Sequence, residues 1–150
     1  MRRVLDLAAR NAASGRGGPF AALVVKGGEV VSEGTNLVTS TNDPTAHAEV
    51  VAIRSACQAL DAWQLDGCVV YTSCEPCPMC LGALYWARPD RVFYAATRAD
   101  AATAGFDDAH IYEELLVLPG KRRLPMLRIL ESEASRPFEA WRDNEERIRY

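Results

Sequence analysis

The sequence predicts a three-layer α/β protein, with helices covering both faces of a mixed central sheet of about five strands. Short β-rich apolar runs alternate along the chain with segments whose apolar residues recur every three or four positions. Strand–helix–strand alternation implies right-handed crossovers, so the later strands should be parallel. The length of 150 residues, with 49% hydrophobic and 25% charged positions, suits one globular domain with its own core.

Residues 2–13 carry Val4, Leu7, Ala8 and Ala12 at helical spacing and stop at Ser14-Gly15-Arg16-Gly17-Gly18-Pro19, which cannot continue a helix. Two β-rich runs, 20–26 and 29–34, flank Gly27-Gly28, a pair suited to a primed turn, and so predict an antiparallel hairpin. After the polar loop 39–44, Val50, Ile53, Cys57 and Leu60 mark a helix that begins close to His47. Residues 68–72 predict a strand. Pro78 to Ala87 predicts a helix with Leu81, Leu84 and Tyr85 turned inward, and 91–95 a further strand. Residues 97–108, rich in Ala, Asp and Gly, predict a loop. Ala109 to Val117 predicts a helix and Met126 to Leu130 a last strand.

A net charge of -3 and no basic run longer than Lys121-Arg122-Arg123 give no broad attraction for phosphate backbones, so no nucleic-acid partner is expected. Met1 to Asp6 has no apolar signal core and no segment is long enough to span a bilayer, so the expectation is a cytoplasmic protein without a membrane partner. Of five cysteines, three crowd into Cys74-Glu75-Pro76-Cys77-Pro78-Met79-Cys80, a pattern that in a reducing compartment signals metal rather than disulfide. Cys57 and Cys68 are read as small buried hydrophobes.

One crossover brings His47 to Cys77 and Cys80, which share a helical turn as i and i+3. Three ligands therefore converge on one Zn²⁺. Two thiolates and one imidazole cancel the cation's charge and activate water less than three histidines would, which makes a separate base useful. Glu49, in the first turn after His47, is placed to take a proton from water and pass it to a leaving amine; the same position also suits a plain complement to the helix dipole. The rival arrangement adds Cys74 as a fourth ligand. It would close the site and make the chain a non-enzymatic, zinc-stabilised binding module.

His47-Ala48-Glu49 followed by Pro76-Cys77-Pro78-Met79-Cys80 fits H-x-E…P-C-x-x-C, the signature of zinc nucleobase deaminases. With Gly18-Pro19-Phe20, Asn42 to Glu49, Tyr71 to Cys77, Tyr85 to Pro89 and Ala104 to Asp108, the chain resembles bacterial guanine deaminases of the cytidine-deaminase-like fold. The resemblance runs nearly end to end. It departs at Ala21, where relatives are expected to carry glycine.

The resemblance implies hydrolysis of guanine, a small purine base, at C2 to xanthine and ammonia, by water activated at zinc with Glu49 as proton carrier. It also implies substrate contacts. Asn36 would offer a donor and an acceptor to a purine edge, or simply serve a turn. Asp108 would accept from the base N–H groups, although Asp107 and Asp108 are equally suited to cap the helix near Ala109. Phe20 and Trp86 would supply apolar faces for a flat base, or pack in the core. Pro137 to Arg142 and Tyr150 resemble the segment that this family exchanges between subunits. That implies a homodimer, residues 132–150 swapped, and Tyr150 reaching the neighbouring pocket. Guanosine deamination is the nearest alternative. tRNA adenosine and other nucleobase or nucleoside deamination use the same zinc constellation, but the acidic chain does not advertise RNA and the C-terminal segment fits cytidine deaminases poorly.

Overall fold

The computed structural model describes residues 1–149 and divides the chain into two compact units, Met1–Ala109 and a second from His110 onward. Tyr150 lies outside the described residues.

The first unit is built on four strands, β1 (Ala21–Lys26), β2 (Glu29–Thr35), β3 (Cys68–Cys74) and β4 (Arg91–Ala96), in the order β2-β1-β3-β4. The β1–β2 hairpin is antiparallel, β1 is antiparallel to β3, and β3 is parallel to β4. Three strands, β2, β3 and β4, thus run in one direction and end at the same edge.

Period-two alternation gives the sheet two apolar faces. Val4 and Ala8 of α1 (Arg2–Ala13) pack with Ala21 and Leu23 on one. On the other, Ala22, Val24, Cys68 and Val70 meet Ala48, Ala52 and Ala56 of α3 (Ala48–Leu60) and Leu84 and Ala87 of α4 (Pro78–Ala87). The three layers are those expected, with Cys68 buried and Cys57 partly so.

Several expectations need correction. The sheet has four strands rather than five: Met126 to Leu130 joins no sheet among the described residues, Leu130 is left-handed, and the apolar side chains of the segment are exposed. In α4 only Leu84 of the expected inward trio is buried, while Leu81 and Tyr85 are exposed. The inner line of α3 is alanine, with Ile53, Cys57 and Leu60 packed at its margins. The polar loop after β2 contains a short helix, α2 (Val38–Thr41). The loop 97–108 holds α5 (Arg98–Thr103), started by a capping box in which Thr97 accepts from the Asp100 N–H and Asp100 accepts from the Thr97 N–H.

The second unit comprises most of α6 (Ala109–Leu115), single 3-10 turns at Pro119–Lys121 and Glu131–Glu133, and α7 (Arg136–Asp143). None of its described residues is buried.

Candidate active site

The shared strand edge collects the predicted residues. Asn36 follows β2, the β3–α4 connection carries Glu75 and Cys77, α5 follows β4, and Phe20 precedes β1 at the same edge. His47 and Cys77 are the N-cap residues of α3 and α4, both in extended conformation, which turns each side chain toward its helix's unpaired N–H groups. Pro78 at the first position of α4 has no N–H to leave unpaired.

Cys77 Sγ and Cys80 Sγ lie 3.6 and 3.5 Å from His47 Nδ1, and the three ligand atoms are all within 4.8 Å of one another. Zinc–sulfur bonds of about 2.3 Å and a zinc–nitrogen bond of about 2.0 Å at tetrahedral angles require sulfur and nitrogen about 3.6 Å apart. The donor set therefore fits zinc, with Nδ1 as the ligand nitrogen. Cys77 falls to about 4, held down first by the neighbouring Cys80 and then by His47, while Cys80 is pushed up by Cys77 beside it and by burial. His47 is raised chiefly by its hydrogen bond to Cys77.

Cys74 does not join this cluster. Burial, reinforced by Glu49, pushes its thiol up to about 11, and its Sγ donates instead to the Thr97 carbonyl at 3.5 Å. A metal held by His47, Cys77 and Cys80 alone would keep a coordination position open, as catalytic zinc sites do and structural ones do not.

Glu49 is 5% exposed. Its Oε1 accepts from Thr72 Oγ1 at 2.7 Å and its Oε2 from Cys80 Sγ at 3.3 Å, so one oxygen faces the sheet and the other the ligand cluster.

These groups share a cavity of about 270 Å³ lined also by Phe20, Asn36, Asp107 and Asp108. Burial, with the nearby Cys77, raises Asp108. Asp107 Oδ1 accepts from the Ala109 N–H at 2.9 Å, at the start of the next helix. Asn36 Oδ1 accepts from the Gly18 and Val38 N–H groups at 3.2 and 3.4 Å, so the cavity is offered its amide donor rather than the expected donor and acceptor. Trp86, 67% exposed at the end of α4, is not among the lining residues.

Two contributors carried no legible role in the sequence. Phe106 sets its ring edge-on to Phe20 at 4.9 Å, just after Gly105 at positive φ. Asn11, 1% exposed on the inner face of α1, donates through Nδ2 to the Gly18 and Asn36 carbonyls at 2.9 Å each, tying the glycine-rich loop to Asn36. An asparagine on an apolar stripe is the one signal that marked it.

Residues 1–96 match the family described as the cytidine and deoxycytidylate deaminase zinc-binding region. The guanine deaminase of Bacillus subtilis (strain 168) is 55% identical over 143 residues, 95% of this chain and 92% of that one. The X-ray structure of guanine deaminase from Bacillus subtilis superposes with a TM-score of 0.97 at 54% identity, covering 99% of this chain and 95% of that one. The tRNA-specific adenosine deaminase of Aquifex aeolicus is 45% identical over 78 residues, 52% of each chain. This chain belongs to the family of the cytidine and deoxycytidylate deaminase zinc-binding region, and it is similar over nearly its whole length to the Bacillus subtilis guanine deaminase.

Proposed function

We propose that this chain is a zinc-dependent hydrolytic deaminase that converts guanine to xanthine and ammonia. The observation that carries the reading is the convergence of His47, Cys77 and Cys80 beside the inward oxygen of Glu49, in a chain whose likeness to a guanine deaminase is nearly complete in length.

Zinc held by those three residues would supply the Lewis acidity that makes a water nucleophilic near neutral pH. Glu49 takes the proton released by that water and delivers it to the departing amine, a two-way transfer that a carboxylate at hydrogen-bond range of the cluster can perform. Asn36 donates from its Nδ2 to an acceptor on the purine edge. Asp108 accepts from the base N–H groups, and its partial burial strengthens that pairing by excluding competing water. Phe20, braced by Phe106, gives the base an apolar wall.

Segment 132–150 is a dimer element in this reading. Supporting this, Leu116 is 90% exposed, and Leu118, Leu124, Leu127, Ile129, Leu130 and Phe138 are also open to solvent, a concentration of large exposed apolar side chains in the C-terminal unit. A second copy is the partner whose surface would cover it. A reducing, cytoplasmic setting suits a chain whose five cysteines are all free. Among the described residues no helix is long and apolar enough to cross a membrane.

The test is ammonia release by zinc-loaded protein given guanine, guanosine, adenine, cytosine and cytidine separately, beside Glu49→Gln. Guanine turnover should dominate, and Glu49→Gln should lower it by roughly 10²–10⁴-fold with zinc retained. Preference for guanosine or another base overturns the substrate, and no turnover of any of them overturns the activity.

A further inference from the structure

We propose that Thr72 is the positioning residue for Glu49: its buried hydroxyl pins one carboxylate oxygen so that the other stays aimed at the reacting water. The proposal rests on Glu49 being the proton carrier of the deamination.

Strand geometry puts the hydroxyl there. Along β3, Cys68 and Val70 face the helices α3 and α4, and the alternation carries Thr72 onto the same face, where it is fully buried opposite the first turn of α3. Apolar side chains occupy the two preceding places in that row, so a hydroxyl needs a partner to be tolerated. It has two candidates, Glu49 Oε1 at 2.7 Å and the Ala21 carbonyl at 3.5 Å. A hydroxyl has one proton to give, and the short, charge-assisted bond to the carboxylate takes it.

Of the two side-chain neighbours of the carboxylate, Thr72 makes the shorter contact, 2.7 Å against 3.3 Å from Cys80 Sγ to Oε2, and it belongs to the sheet rather than to the ligand cluster. The terminal torsion of a glutamate is broad and roughly two-fold, so without that anchor the carboxylate can turn. Small displacements of a reacting group cost rate far more than they cost binding.

The experiment compares Thr72→Val, which keeps the shape and removes the hydroxyl, with Thr72→Ser, which keeps the hydroxyl. Thr72→Ala replaces the valine variant should that one fold poorly. With guanine, Thr72→Val should lower kcat by about 10²-fold, leave KM near the wild-type value, and retain zinc in full. Thr72→Ser should recover most of the loss. Unchanged kcat in the valine variant, a loss that tracks zinc content, or no recovery with serine overturns the proposal. Wild-type protein that fails on guanine overturns the proposed function instead. A crystal structure of zinc-loaded Thr72→Val then still decides on Thr72, because a Glu49 carboxylate in its present orientation refutes the role and a rotated one supports it.

Discussion

Asp107 and Asp108 carry the same group on adjacent residues, and both line the cavity. Asp107 also accepts from the Ala109 N–H at the start of α6, and burial raises Asp108. Spacing from the helix start could not separate them, because either can reach an unpaired N–H. Asp107→Ala should lower stability by about 1 kcal/mol, the usual worth of a cap, and cost less guanine turnover than Asp108→Ala, which should abolish most turnover at nearly unchanged Tm. Thermal melts and steady-state kinetics on the same two proteins check both halves, and the reverse pattern would exchange the roles. Asn36 teaches a related lesson. Its residue type announced a purine-reading amide, but its oxygen is occupied by the N–H of Val38 two residues on, a local turn contact, and by that of Gly18, which lies 18 residues away where no local pattern displays it.

At the scale of elements, residue patterns revealed where α3 begins but not what it presents to the sheet. Large apolar residues dominate a hydrophobic stripe, whereas the contact line is Ala48, Ala52 and Ala56, small enough for the helix backbone to approach β2 closely. Gly34 is the matching concession on the strand. A Cβ there would collide with the Ala48 carbonyl oxygen and stand 2.6 Å from the Ala52 nitrogen. Because α3 carries His47 and Glu49 in its first turn, this close packing sets where the catalytic side chains stand. Gly34→Ala should cost about 1–3 kcal/mol, as overpacking does. Its melting temperature should fall by roughly 2–4 °C for each kcal/mol, and an unchanged Tm would mean the helix yields easily. Residues 97–108 read as a loop because their alanines and glycine form no stripe, and the capping box of Thr97 and Asp100 that opens α5 shows only in the structure. The expected fifth strand failed for the opposite reason: Met126 to Leu130 has strand-like composition, yet the Met126 N–H donates to the Pro119 carbonyl of a 3-10 turn, and the segment joins no sheet among the described residues.

For the whole molecule, the His47, Cys77 and Cys80 cluster and its neighbour Glu49 were legible because one short motif on each of two helix starts contains them, and the antiparallel hairpin and the parallel later pair follow from the alternation of elements. The fate of the C-terminal unit was not, since its apolar residues follow neither helical nor strand period over any long stretch and find no core of their own. Light scattering should give a particle of twice the 16.5 kDa chain mass. Deleting Arg149 and Tyr150 should lower kcat/KM on guanine with zinc and particle size unchanged. A monomer would contradict the dimer, and unaltered kinetics would leave the tail without a catalytic part. The common direction of β2, β3 and β4 has a wider consequence. Groups that handle the metal and the proton sit on the rigid starts of α3 and α4, whereas those proposed to read the base hang on the connections after β2 and β4. Rewriting the segment from Thr97 to Asp108 could thus retune which ring is accepted while the chemistry is inherited intact, so one scaffold can diversify its diet without relearning how to digest.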